Sequence, residues 1–151
     1  MSLRYLSLFL IILLLTACAT TSGMQQRFAV CNYDHAWEAA LAVVKDRPVA
    51  TKNKDTGLIE TSWLEVPMAG RTFGALQRDL SDGKDRSRIT LMVKRLDDVT
   101  KISFIEMRER WMFRGGSRLF GWAPTDPSEE IMSDIQRRLD GKLKEHGCSP
   151  T

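Results

Sequence analysis

The stretch RITLMVKRLDDVTKISFIEMRERWMF, residues 88–113, decides the fold. Its first part, residues 88–96, alternates apolar and polar side chains, which is typical of a half-buried β-strand. The apolar members of that strand share one face: Ile89, Leu91 and Val93. Asp97-Asp98 is predicted to be a turn, and Val99 to Phe113 a long second strand. The stretch therefore predicts an antiparallel β-hairpin.

The long strand changes its apolar face between Phe104 and Ile105, which predicts a bulge or a strong bend there. Its charged residues are expected to pair across a solvated face: Glu106, Arg108, Glu109 and Arg110. Acid–base catalysis by Glu106 or Glu109 is the alternative interpretation.

A helix is predicted upstream over residues 35–45, with Asp34 as its cap and Pro48 beyond its end. Its apolar stripe consists of Trp37, Leu41 and Val44, with Ala40 beside them. A hairpin of residues 49–52 and 58–66 follows, around the polar turn 53–57 that contains Gly57. The second of these strands is expected to place three side chains on one face: Ile59, Thr61 and Trp63. A long excursion over residues 67–86 could contain a short helix around Phe73, Leu76 and Leu80.

Downstream, residues 115–125 are predicted to form a loop, and Asp126 to cap a closing helix that runs to about His146. The apolar stripe of this helix consists of Ile131, Ile135, Leu139 and Leu143. The expected fold is therefore α+β: an antiparallel four-stranded sheet packed against an N-terminal and a long C-terminal helix, in the order α-β-β-β-β-α.

The N-terminus carries one side-chain charge, Arg4, before the ten-residue, nearly apolar run Leu6–Leu15. A transmembrane helix needs about 20 apolar residues, so this run is typical of a signal-peptide core instead. Residues 15–18, Leu-Thr-Ala-Cys, resemble the lipobox of bacterial lipoproteins. That resemblance implies cleavage before Cys18 and acylation of this cysteine, and Ala19 after it implies sorting to the outer membrane.

The expected organisation is a signal peptide over residues 1–17, a lipidated cysteine and short tether over 18–26, and one domain over 27–151. Removing residues 1–17 from the 151-residue chain leaves 134, a usual size for one domain. The 22 Lys and Arg less Arg4 leave 21 against 19 Asp and Glu, which is too slight an excess to suggest nucleic-acid binding.

The remaining cysteines, Cys31 and Cys148, form an even pair in an exported chain, which favours a disulfide. A zinc site formed by the two cysteines with His35 and His146 is the alternative, and a nucleophilic Cys31 beside His35 is a more distant one. No metal, cofactor or catalytic residue is expected.

Several core positions and one turn carry a resemblance to a known family: Ala36-Trp37, Ala39-Ala40-Leu41, Asp55, Gly57, Ile59, Thr61 and Trp63, with Asp126-Pro127, Ile131 and Ile135 downstream. Residues 34–143 resemble the helix-grip domains of a two-domain lipoprotein component of the β-barrel assembly machinery, and of small lipoproteins similar to it. The resemblance implies a non-enzymatic accessory protein. This chain has one domain where that lipoprotein has two, and it lacks the long N-terminal segment that engages the partner there.

Residues 111–122 combine large apolar side chains with arginines around glycines, a composition that favours a contact surface. The candidate partner-binding residues are Trp111, Phe113, Arg114, Arg118, Leu119, Phe120 and Trp122. Two alternatives remain open: the segment could fold back as core, or it could rest in lipid headgroups.

The sequence thus predicts an outer-membrane lipoprotein, lipid-anchored on the periplasmic side, that serves as a binding or accessory module of an envelope protein complex. Outer-membrane assembly is the process that the resemblance suggests. The alternative function is a carrier or sensor that holds a lipid or another apolar ligand between the sheet and the C-terminal helix.

Overall fold

The computed structural model describes residues 23–66, 84–115 and 120–151. The predicted signal peptide and Cys18, the short helix predicted around Phe73, and the candidate contact residues Arg118 and Leu119 lie outside the described residues. The chain order of the elements is β1 Gln25–Val30, α1 Tyr33–Val43, β2 Val49–Asn53, β3 Leu58–Thr61, β4 Leu64–Val66, β5 Asp85–Leu96, β6 Val99–Phe113, β7 Phe120–Thr125, α2 Glu129–Glu145 and β8 Ser149–Pro150.

The fold is α+β with an antiparallel sheet, as the sequence predicts, but the sheet is larger than predicted. The described residues contribute eight strands instead of four, in the order β2-β3-β5-β6-β1-β8, with β4 beside β5 and β7 beside β6. Strands β1 and β7 lie end to end along β6, because β1 pairs with residues 100–104 and β7 with residues 108–113.

The β5–β6 hairpin confirms the prediction from residues 88–113. The strands pair from Asp85 opposite Arg110 to Leu96 opposite Val99, and Asp97 turns the chain with a φ of 45°. The predicted bulge at Phe104 is wrong, since the pairing runs through it without a register shift. Glu106 and Arg108 keep the face of Phe104 and are buried, so the sequence pattern reflects buried charges and not a change of face.

The β2–β3 hairpin forms around the predicted turn. Asn53 Oδ1 accepts hydrogen bonds from the Asp55 and Thr56 amides, and Gly57 has a φ of +72°. The single strand predicted over residues 58–66 is interrupted, because β3 ends at Thr61 and β4 begins at Leu64. Trp63 lies at this interruption, and its ring contacts Arg86 on the face opposite Ile59 and Thr61. The predicted common face of these three residues is therefore wrong for Trp63.

Both helices cover the same face of the sheet, here called the inner face. Helix α1 buries Trp37, Ala40 and Val43, and α2 buries Ile135, Leu139 and Leu143 against Ile89, Leu91 and Phe104. The cap residues differ from those predicted: Asn32 Oδ1 accepts from the Asp34 amide, and the Ser128 hydroxyl accepts from the Ile131 amide.

Three strands of the described residues were not predicted from the sequence: β1, β7 and β8. Residues 120–125 form β7 where a loop was predicted, and β1 begins at Gln25, within the predicted tether. Strand β1 therefore begins two residues before the predicted domain boundary at residue 27. The additional short strand β8 pairs with β1 and so completes this edge of the sheet.

The predicted disulfide is present and joins Cys31 to Cys148, whose Cα atoms lie 4.9 Å apart. It connects the start of α1 to the segment after α2, across 117 residues of sequence. Cross-links that close long loops restrict the unfolded chain, which stabilises a small domain.

Candidate aromatic contact surface

The outer face of the sheet lies opposite the two described helices and carries the candidate surface. In antiparallel pairs, side chains directly opposite each other point to the same face. Arg86 pairs with Glu109, Trp111 with Trp122 and Phe113 with Phe120, so all of these side chains project from the outer face. The register of β5, β6 and β7 therefore brings the aromatic residues of the predicted contact segment together.

An arginine between two tryptophans lies at the centre of this surface. The Arg86 guanidinium carbon is 4.5 Å from the ring centre of Trp63 and 4.3 Å from that of Trp122. Arg86 Nε also donates to Glu109 Oε2 at 2.7 Å. A guanidinium stacked on aromatic faces is held by cation–π attraction. We call Trp63, Arg86, Trp111 and Trp122 the outer aromatic surface.

The outer aromatic surface continues toward the end of the β6–β7 hairpin. Trp111 and Trp122 meet edge to face with ring centres 5.3 Å apart, and Phe113 and Phe120 do so at 5.6 Å. The two phenylalanines remain 59% and 54% exposed. Such offset aromatic pairs stabilise cross-strand contacts, and here they also leave apolar area in water.

We define the hairpin tip as Met112, Phe113, Arg114 and Phe120. Met112 lies opposite Gly121 and so belongs to the other side of the sheet from Phe113, yet it is also exposed. Arg114 donates to the Trp122 carbonyl at 3.1 Å. The tip therefore presents apolar side chains on both faces of the sheet, and packing against one face would leave those of the other face in water.

A shallow groove runs beside the tryptophans and is lined by Trp111, Phe120 and Trp122 together with Glu65 and Lys84. The ammonium of Lys84 lies 3.9 Å from the Glu65 carboxylate. The groove thus sets an aromatic wall opposite a pair of opposite charges. This combination suits a partner with both an apolar and a polar group.

The inner face holds a charged cluster where the sequence predicted a solvated one. Asp85 is fully buried, and its carboxylate accepts from Arg110 Nε at 2.8 Å and from Arg108 Nε at 3.1 Å. The hydrogen bond from Arg110, with further help from Arg108, lowers the pKa of Asp85 although burial opposes this shift. Asp85 therefore remains ionised and acts as a structural anion.

Glu106 belongs to the same cluster. Its buried carboxylate accepts a hydrogen bond from the Ser128 amide at the start of α2, and its other oxygen lies 3.7 Å from Arg108. The expectation of a solvated pair is wrong for Glu106 and Arg108, because both occupy core positions of β6. Glu109 does pair with Arg86 on the outer face, as expected.

A cleft of about 440 Å³ lies between α2, the end of α1 and the inner face. Its lining includes several charged side chains: Asp46, Arg47, Arg108, Glu130, Asp134 and Arg138. Arg138 donates to both carboxylate oxygens of Asp46, at 2.9 and 3.0 Å, which lowers the pKa of that carboxyl. The lining also contains apolar side chains, among them Val43, Ile89 and Ile131, and most of its charges already pair within the protein.

The disulfide argues against both cysteine-based alternatives, the zinc site and the nucleophilic Cys31. The sulfurs of Cys31 and Cys148 are bonded to each other, so neither is a thiolate that could bind zinc or attack a substrate. In the described parts of the chain, no three His, Cys, Asp or Glu side chains gather in a metal-binding arrangement.

The structure adds Trp63 and Arg86 to the residues that the sequence singled out. Trp63 was predicted for the core face, and Arg86 for the irregular excursion. The alternation of apolar and polar residues in β5 indicated where an arginine would lie, because it places Arg88 on the face opposite Ile89. Arg88 also lies over Trp63, at 4.9 Å from the ring centre.

The sequence matches no protein-family model and none of the curated proteins with which it was compared. Across residues 23–66, 84–115 and 120–151, neither helix has the length and apolar character that a membrane crossing requires. The class defined by the described residues is an α+β domain with two helices on one sheet face and a half-buried aromatic surface on the other, next to which Phe113 and Phe120 are exposed.

Proposed function

We propose that this protein is an outer-membrane lipoprotein, anchored through Cys18 on the periplasmic side, that acts as a non-enzymatic binding module of an envelope protein complex. The helix-grip resemblance and its link to outer-membrane assembly belong to the same proposal. The observation that carries it is the outer aromatic surface, in which Trp63, Arg86 and Trp122 form a preordered stack. Tryptophan and arginine dominate the energetics of protein interfaces.

The packing of the inner face supports a binding module over a carrier. Large side chains fill the space between the helices and the sheet, among them Trp37, Phe104, Leu139 and Leu143. The neighbouring cleft has a mixed lining, and an apolar ligand that contacted Val43, Ile89 and Ile131 there would also have to desolvate charged groups. The carrier is therefore the less supported alternative.

The glutamates of β6 are also better explained as structural groups than as catalytic ones. Asp85 accepts hydrogen bonds from Arg108 and Arg110, and Glu106 accepts from the Ser128 amide and lies 3.7 Å from Arg108. Glu109 is held by Arg86 on the outer face.

The test is crosslinking of the lipidated protein in membranes, followed by capture of this protein and identification of what is bound to it. We expect a specific envelope protein that is lost with Trp122→Asp, since this change removes the stack over Arg86. The matched control is Phe28→Asp, which alters a 37% exposed phenylalanine of the same outer face near the other end of β6. Equal recovery of the partner with both variants would contradict the assignment of the surface.

A further inference from the structure

We propose that the hairpin tip rests in the headgroup layer of the same bilayer to which Cys18 is anchored, while the outer aromatic surface behind it remains available to the protein partner. This inference rests on the proposed anchoring at Cys18. It assigns a lipid surface to Met112, Phe113, Arg114 and Phe120, and it fixes the orientation of the domain on the membrane.

The chain enters the sheet from the direction of the hairpin tip. Gln25 begins β1 opposite Phe104, and β1 runs antiparallel to β6, so the chain before Gln25 arrives from the side of the hairpin tip. Gly23 confirms this direction: a Cβ built on it would lie 3.3 Å from Pro127, which follows the end of β7. The tether therefore joins the domain on the tip side of β1.

The distance from Gln25 to the hairpin tip is similar to the longest distance that the tether from Gln25 to Cys18 can span. From Phe104, beside Gln25, to Phe113 the strand advances nine residues, or about 30 Å at about 3.3 Å per residue. From Gln25 back to Cys18 there are seven residues, which span at most about 25 Å when fully extended. The tip thus reaches as far from Gln25 as the anchored cysteine can, so the anchor holds the domain within contact distance of the bilayer at this end.

The side chains of the hairpin tip suit a lipid surface. Phe113 and Phe120 are more than half exposed on one side, and Met112 is exposed on the other. Residues 110–115 and 120–125 contain no Asp or Glu, and Arg114 is exposed. A segment that is apolar on both sides and carries only positive charge suits the interface between acyl chains and phosphate headgroups. A protein partner on one side of the sheet would leave Met112 or the phenylalanines in water.

The test uses the acylated mature protein, residues 18–151, reconstituted in vesicles of phosphatidylethanolamine with a minor fraction of phosphatidylglycerol. Some of the lipid carries a doxyl quencher high on its acyl chain, and the tryptophan fluorescence is recorded; of the four tryptophans, Trp111 and Trp122 lie next to the tip. We expect strong quenching that falls by at least half in Phe113→Ser/Phe120→Ser. Phe28→Ser, the matched change at the other end, should quench like the wild type.

Circular dichroism and an intact Cys31–Cys148 disulfide establish that each variant is folded. Acylated protein whose quenching is weak, or is the same in the tip variant, overturns the tip assignment alone. Mass spectrometry that finds no acyl chains on Cys18 overturns the anchoring and the inference with it. The vesicles contain no other protein, so neither result depends on the partner of the outer aromatic surface.

Discussion

Asp85 is a fully buried carboxylate that holds two arginines of the neighbouring strand in place. In Asp85→Asn the buried Arg108 keeps its charge but loses this anion, and breaking a buried pair in this way costs about 3–5 kcal/mol. We expect the free energy of unfolding at neutral pH, measured by urea denaturation, to fall by that amount. Asp134→Asn is the matched control, since it affects an exposed pair on α2 and should cost less than about 1 kcal/mol.

The pH dependence of the same variant tests the assignment. Because the pKa of Asp85 is lowered in the fold, its stabilisation is fully present above the unfolded value of about 3.9 and is lost as pH falls through the folded pKa. The difference between wild type and Asp85→Asn should therefore narrow below about pH 4. A constant difference down to the acid transition would show that the cost of Asp85→Asn does not come from the ion pair.

Gly57 joins the β2–β3 turn to β5, and both its conformation and its surroundings require glycine. A Cβ at this position would lie 1.9 Å from the Val93 carbonyl oxygen, and φ is +72°. We expect Gly57→Ala to lower the free energy of unfolding by about 2–5 kcal/mol, from backbone strain and steric overlap together. The measurement is urea denaturation of the disulfide-bonded protein.

Gly147 separates the two causes in that prediction. It has a similar φ of +75°, but a Cβ there meets no atom within 4 Å. Gly147→Ala should therefore cost only about 1 kcal/mol, which is the strain term alone. An equal loss in the free energy of unfolding for the two variants would mean that the β2–β3 turn can move away from Val93 without penalty. The close contact between Gly57 and Val93 would then not fix the position of the turn.

At the level of elements, the β5–β6 hairpin was predictable because its apolar residues alternate and most of them face one core. The closing helix was predictable for a similar reason, since its stripe recurs every four residues and three of its four members are buried. The local sequence of each of these elements is sufficient to predict it. Each could be derived from a window of sequence without knowledge of what it packs against.

Strand β7 could not be found in this way. Its sequence, FGWAPT, contains Gly and Pro and has no clear alternation, so its local preference is for a loop. It is a strand because Trp122 and Phe120 pack against Trp111 and Phe113 on β6. Strand β1 likewise depends on β6, and its sequence begins in a polar segment that resembles a tether.

The candidate surface was half predictable. Trp111, Phe113, Phe120 and Trp122 were found because they crowd into one short segment. Trp63 and Arg86 were not, since they join the surface only through the register of β4 and β5 with β6. The inner cluster was missed for a different reason: a buried Glu106 and Arg108 look in sequence like exposed charges.

At the scale of the whole molecule, the proposed anchoring at Cys18 makes the short tether and the long hairpin matched parts of one arrangement. The tether does not need a strong attraction between the tip and lipid, because it confines the tip near the bilayer at a high effective concentration. A weak apolar contact by two phenylalanines then suffices to orient the domain. The outer aromatic surface would face sideways along the membrane, where another anchored envelope protein can reach it.

Lengthening the tether tests this arrangement. Inserting twenty Gly and Ser residues after Ser22 extends the span from Cys18 to Gln25 from seven residues to 27. The effective concentration of the tip at the bilayer should fall roughly eightfold, following the −3/2 power of tether length. We expect weaker quenching of Trp111 and Trp122 by the doxyl lipid, with the anchor and the fold unchanged. Quenching that is insensitive to tether length would mean that the tip holds lipid by its own affinity, and that the match between the two lengths has no part in the orientation.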